Sequence, residues 1–243
     1  MRIDALAVRL RPRTPMEATD LGVRLCQSAA RSVYTCFACV AVPVMALAIA
    51  AGQIAVWLPI AAIWLAKPWL DRTIVFVLSR AAFGQTTTPA DVWRSQRTVW
   101  WNQFLFTWTI RRLSLWRSLT QPVYQLEGLS IIKSGSRVRA IRRRSAAGAV
   151  VMTSVFSLAE MALTTAVVSL VFWLAPSGQE SAAVQLFSGE STFAWVCFAV
   201  AYAIAVFFLE PFYVAAGFAM YLTRRADLEA WDIEQEFRRA FAQ

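Results

Sequence analysis

Histidine is absent from all 243 residues. That absence removes His-containing catalytic triads, His-ligated zinc and imidazole proton relays together. Charge is scarce as well: 16% of residues are charged against 58% hydrophobic, and mean hydropathy is positive at +0.49. Such a balance places much of the chain in lipid. Cysteine is limited to Cys26, Cys36, Cys39 and Cys197. Cys36 and Cys39 form a lone CxxC inside an apolar helical stretch, the setting of small buried hydrophobes rather than of metal or redox chemistry. The first thirty residues contain Asp4, Glu17 and Asp20 and no continuous apolar core, so no cleavable signal peptide is expected.

What charge there is carries one sign in excess, a formal +9. None of the standard nucleic-acid-binding motifs accompanies it. Basic residues that flank apolar stretches have a simpler explanation in membrane orientation, so no nucleic-acid partner is expected. Four stretches approach the ~20 apolar residues needed to cross a bilayer, near 33–51, 54–70, 149–175 and 193–222. Six of the 24 basic residues precede the first (Arg2, Arg9, Arg11, Arg13, Arg24, Arg31), fourteen fall between Lys67 and Arg144, and four follow the last (Arg224, Arg225, Arg238, Arg239). The turn at Ala51–Gln53 and the loop 176–192 have none. By the positive-inside rule both termini and the central segment face the cytoplasm. The expected fold is an all-α integral membrane bundle of four transmembrane helices, with interfacial amphipathic helices on the cytoplasmic side. It forms a single domain over 1–243, with a cytoplasmic or interfacial segment at 71–148 and an amphipathic tail at 223–243.

The second stretch runs straight into KPWLDR. Lys67 and Asp71, four apart, share a helix face, and Arg72 follows. Two readings stand: a mutually neutralised, snorkelling cytoplasmic end with Trp64 and Trp69 in the interface, or a polar site within the membrane. Further on, Thr14-Pro15-Met16-Glu17 and Thr88-Pro89-Ala90-Asp91 each combine an N-cap threonine, a proline at the first helical position and an acid completing a capping box. Helices are predicted from about 15 and 89. The first is read as interfacial. The second leads into an arginine- and tryptophan-rich segment, 89–120, suited to the headgroup boundary or to a re-entrant hairpin. A short helix is predicted from Pro122 to about Gly135. Arg137, Arg139, Arg142, Arg143 and Arg144 then crowd the start of the third span, where they either set orientation or attract anionic lipid. In the tail, the acidic face including Glu229, Asp232 and Glu236 is expected to meet this basic cluster, a basic partner, or solvent.

Only two acids lie inside the spans, Glu160 and Glu210. Counted from Arg144 and from Arg224, their depths differ by only ~3 Å at 1.5 Å per residue. They are therefore expected to be neighbours. An ionisable group at such depth is costly and marks a candidate site. The carboxyls are expected to bond Ser157, Thr164 or Tyr213, to pair with Arg72 or Arg80, or to line a proton or cation path. Pro211 removes its own bond to the carbonyl of Phe207 and adds local irregularity. No catalytic residue, metal or cofactor is predicted.

The segments RPRTPMEATDLG, KPWLDRTIVFVLSRAAFG and EPFYVAAGFAMYLTRRADLEAWDIEQEFRRAF resemble a family of bacterial inner-membrane proteins whose genes lie near those of MoxR-type ATPases and transglutaminase-like membrane proteins. The last is also distantly similar to the membrane domain associated with glycerophosphodiester phosphodiesterases, without their catalytic domain. The resemblance implies a bacterial cytoplasmic-membrane location and an envelope-related assembly with membrane-protein partners, including MoxR-associated proteins. The expected role is a non-enzymatic scaffold or subunit; the alternative is a small transporter or lipid-handling protein with a polar cavity near Glu160 and Glu210.

Overall fold

The computed structural model describes residues 13–101, 114–128, 131–174 and 192–229. Among these, all regular structure is helical. The helices are α1 (Pro15–Ser28), α2 (Ala30–Ala50), α3 (Leu58–Ala81), α4 (Pro89–Arg94), α5 (Arg117–Leu126), α6 (Ile131–Trp173) and α7 (Thr192–Glu229). A π-helical turn, Arg97–Trp101, follows α4.

Both predicted helix starts are present, with different chemistry. At α1 the Thr14 hydroxyl accepts the N–H of Glu17 at 3.3 Å. At α4 the Asp91 carboxylate accepts both the N–H of Thr88, at 3.0 Å, and its hydroxyl, at 2.8 Å. These bonds favour the charged form and hold Asp91 below the usual carboxylate range. The predicted helix at Pro122–Gly135 is corrected. Pro122 lies inside α5, which ends before Gly128 at φ +60, and Gly135 is an interior residue of α6. A glycine without Cβ stops a helix where the chain must turn left-handed, so Gly128 is the breaker.

Three helices, Ala30–Gln53, Ser134–Leu170 and Ala194–Glu229, are long and apolar enough to cross a membrane. The expectation of four is corrected at α3. Its apolar residues from Leu58 meet Lys67, Asp71 and Arg72 before a full crossing length is reached.

Two compact units emerge. One comprises 1–37, 68–153 and 211–243; the other comprises 38–67 and 154–210. In the first, helices touch backbone to backbone. A Cβ on Gly22 of α1 would lie 2.3 Å from the carbonyl oxygen of Ala215 in α7, and one on Gly217 of α7 would lie 2.4 Å from Cβ of Ser118 in α5. Small residues permit this approach. Around these contacts Phe218, Tyr221, Leu119 and Ile141 form the core. Trp100 is sandwiched between Trp69 and Trp93 at 5.5 and 5.7 Å, and its indole N–H donates to Thr73 Oγ1 at 3.0 Å. That arrangement ties the turn after α4 to α3. Trp93 and Trp101 remain exposed beside Arg94 and Arg97. This is the composition expected of an interfacial element; 102–113 lie outside the described residues.

Cys26 is fully buried in the first unit, and burial pushes its thiol up to about 12. At pH 8 only roughly one Cys26 in ten thousand is then thiolate, the reactive form. N-ethylmaleimide is expected to leave Cys26 unmodified in the folded protein and to modify it fully after unfolding in dodecyl sulfate, read by peptide mass spectrometry. Equal modification before and after unfolding would contradict this burial.

The second unit buries Lys67 and Glu210 among apolar residues such as Ile63, Ala199 and Val206, and it exposes large apolar side chains. Leu47 (73% exposed), Ile54, Trp57, Leu158, Met161 and Phe208 face outward. A water-soluble surface rarely presents so much contiguous apolar area. Such a surface is compatible with a lipid environment.

Candidate functional site

Within this second unit, α3, α6 and α7 each contribute one charged side chain. Lys67 Nζ lies 2.6 Å from Glu160 Oε2 and 2.8 Å from Glu210 Oε2. Glu210 is 2% exposed and Lys67 8%. Tyr202, two turns before Glu210 on α7, donates its hydroxyl to the Glu160 carboxylate. Lys67 and Glu210 each immediately precede a proline inside their helix, Pro68 and Pro211. Proline supplies no N–H to the carbonyl four residues back, so both charged groups sit where the helix ladder is interrupted.

Its two carboxylate partners explain why a lysine is tolerated here. Taking isolated ions out of water is prohibitive, yet opposite charges at hydrogen-bond distance recover most of that cost. One ammonium has three N–H donors, enough for both carboxylates. Charge counting is unequal: with all three ionised the cluster carries one net negative charge. A single additional proton or monovalent cation neutralises it.

The expectation that Glu160 and Glu210 are neighbours is met, through Lys67. Arg72 and Arg80 are not the cations that join them. Arg72 donates to the carbonyl of Thr98 at 3.5 Å, and the Arg80 guanidinium lies over the Phe76 ring at 5.8 Å. Thr164 donates its hydroxyl to the backbone carbonyl of Glu160, and Tyr213 pairs with Thr153. Lys67, Asp71 and Arg72 of KPWLDR are all buried in the helical packing rather than extended toward solvent. Lys67 reaches α6 and α7, whereas Asp71 binds Arg117 of α5 at 3.0 Å. Helical rotation separates positions 67 and 71 enough for each to find a partner on a different helix.

Asp71 belongs to a second polar seam, wholly within the first unit. Arg117, Gln121 and Gln125, at successive spacings of four on α5, meet Asp71, the carbonyl of Pro68 (3.2 Å) and the carbonyl of Arg72 (2.8 Å). The stripe RxxxQxxxQ was visible in the sequence as a polar face at helical period, although nothing there named its partner. A third cluster closes a ring. Arg137 pairs with Glu127 at 3.0 Å and with Glu229, Arg225 pairs with Glu229 at 3.0 Å, and the Tyr221 hydroxyl donates to Glu127 at 2.9 Å while accepting from Arg225 at 3.3 Å. Two arginines and two glutamates leave it neutral. The expected meeting of the tail's acidic face with the basic cluster thus occurs at Glu229 and Arg137; Asp232 and Glu236 lie outside the described residues.

The five clustered arginines divide. Arg137 belongs to the ring and Arg142 stacks its guanidinium 4.4 Å over Trp116. Arg139, Arg143 and Arg144 are exposed. Cys36, of the CxxC pair, is buried with its Sγ 3.5 Å from the carbonyl of Thr87, and Cys39 is exposed; the two are not joined in a disulfide.

Comparison with family models, curated proteins and solved structures finds no match. The functional argument therefore rests on geometry. Tyr202, Glu127, Tyr221 and Arg117 escaped the sequence reading because each matters through a partner some 40 to 95 positions away along the chain. The prior signals were a polar group in an apolar helix, carried by the tyrosines, and for Arg117 the polar stripe it forms with Gln121 and Gln125.

Proposed function

We propose that this chain is an integral membrane protein that acts without catalysis, as a scaffold or subunit of a membrane complex. The observation supporting it is the Lys67–Glu160–Glu210 cluster, in which the polar groups of three apolar helices are spent on one another. A fastener of this kind joins helices inside lipid, where no hydrophobic force drives them together.

The same cluster bears on topology. Three crossings alone would put the six amino-terminal basic residues and the basic central segment on opposite sides of the membrane. An even number keeps them together, as the positive-inside rule favours. On this charge distribution we read both termini and the central segment as cytoplasmic, with α3 returning the chain as a helix whose Lys67 and Asp71 carry partners with them rather than as a fourth apolar span. On the strength of the resemblance the membrane is the bacterial inner one, and the complex an envelope-related assembly that includes MoxR-associated proteins. Affinity purification of the tagged chain from native membranes after mild cross-linking is expected to recover stoichiometric membrane-protein partners. Recovery of the chain alone, at every cross-linker dose, would remove the scaffold reading.

A second reading, a small transporter or lipid-handling protein, draws on the unbalanced negative charge of the cluster. It requires a cation or cationic ligand that raises the melting temperature of the purified protein, with the effect abolished by Glu210→Gln.

A further inference from the structure

The inner face of α6 is pinned at its amino-terminal half. Arg137 enters the ring with Glu127 and Glu229, Ile141 is fully buried, and the Trp116 indole donates to the carbonyl of Ala146 at 3.1 Å beneath the Arg142 guanidinium. Pinning fixes what points the other way. Arg139, Arg143 and Arg144 are exposed, and no carboxylate among the described residues pairs with them. Continuing along the same outward face come Ala147, Val151, Val155, Leu158 and Met161, all exposed and all apolar. This helix face therefore changes from cationic to predominantly apolar within a single turn, with Ser154 and Ser157 exposed among the apolar side chains.

We propose that Arg139, Arg143 and Arg144 form a binding site for the phosphate groups of anionic phospholipids, one that holds α6 at a set depth. The proposal builds on the reading of α6 as a membrane span and adds its partner. Depth supports it. If hydrocarbon begins at Ala147, a rise of 1.5 Å per residue puts the α-carbon of Arg144 ~5 Å and that of Arg139 ~12 Å outside it. The headgroup layer, ~5–7 Å deep on each side of a ~30 Å hydrocarbon core, takes in the α-carbons of Arg143 and Arg144 and leaves that of Arg139 just beyond its outer, water-facing margin. Guanidinium is suited to the ligand because its planar fork donates two parallel N–H bonds to phosphate oxygens. Arg143 and Arg144, adjacent in sequence, diverge by ~100° around the helix. With Arg139 one turn away, they present separate forks to neighbouring headgroups.

The test uses the full chain purified in a neutral detergent, with added phosphatidylglycerol, phosphatidylcholine or inorganic phosphate, read by melting temperature and by lipid retention in native mass spectrometry. Phosphatidylglycerol is expected to be retained in preference to phosphatidylcholine and to raise the melting temperature, while inorganic phosphate does neither. In R139Q/R143Q/R144Q the preference is expected to fall at least several-fold, since each basic residue at an anionic surface is worth roughly fivefold, or ~1 kcal/mol. Arg142→Gln, which removes the stack on Trp116, is expected to lower the basal melting temperature and keep the lipid preference, separating folding from binding. An undiminished preference in the triple variant overturns the proposal, as does an equal response to inorganic phosphate. So does a lipid preference that appears only after residues 230–243 are deleted, because the arginines would then belong to the acidic tail. A cytoplasmic assignment of both termini disproved by reporter fusions would leave this lipid measurement standing, so the two readings fail separately.

Discussion

Lys67→Met is expected to be the most damaging single substitution in the buried charge clusters, lowering stability by ~3–5 kcal/mol, the cost of removing one partner from a buried charge pair. It strips the shared cation from Glu160 and Glu210, which Lys67 contacts at 2.6 and 2.8 Å. Two carboxylates then face each other with no counter-charge. Charge bookkeeping orders the remaining variants. Glu160→Gln or Glu210→Gln leaves one carboxylate opposite one ammonium and is expected to be mild. E160Q/E210Q strands the lysine and should match Lys67→Met in severity. The triple variant K67M/E160Q/E210Q removes every charge and is expected to recover most of the loss, because replacing a whole buried ionic cluster with uncharged groups is often neutral. Thermal unfolding in detergent, followed by tryptophan fluorescence, measures all five proteins. A triple variant no better than Lys67→Met would mean that these side chains do not act as a unit.

The second large effect is steric. Gly22→Ala places a methyl 2.3 Å from the carbonyl oxygen of Ala215, and Gly217→Ala places one 2.4 Å from Cβ of Ser118. Backbone atoms cannot swing aside as a flexible side-chain tip does. The helices must separate, which costs at least the ~1–3 kcal/mol typical of an overpacked core. Gly135 is the internal control: it also lies in a helix, yet an added Cβ meets nothing within 4 Å. Gly135→Ala is therefore expected to stabilise by ~0.5–1 kcal/mol through helix propensity and lost unfolded-state freedom. If all three substitutions shift the melting temperature alike, the close approaches of α1 to α7 and of α7 to α5 are wrong.

These two predictions show which features were legible along the chain. Capping at Thr14 and Thr88 was readable because an N-cap acts over three residues. Apolar length marked α2, α6 and α7 for the same reason, since a span is a run of neighbours. The depth argument for Glu160 and Glu210 succeeded because helical rise converts residue count into distance. Partner choice was different. Arg72 and Arg80 were as plausible as Lys67 by charge, and only the rotation of α3 turns Lys67 toward α6 and α7. The break between α5 and α6 was misplaced for a related reason: two glycines flank LSIIK, and the left-handed turn falls at Gly128 while Gly135 stays helical.

The sequence by itself determined that this protein is helical, that its longest apolar runs are long enough to cross a membrane, and that two carboxylates of α6 and α7 come close together. Those properties are sums over adjacent residues, or products of a constant rise. Tertiary structure alone decided that Lys67 joins the carboxylates, that Arg117, Gln121 and Gln125 serve α3, and that Arg137 and Arg142 are engaged while Arg139, Arg143 and Arg144 face outward. Each is a pairing across many residues, selected by how helices rotate about their own axes, and rotation is fixed only when the whole bundle packs.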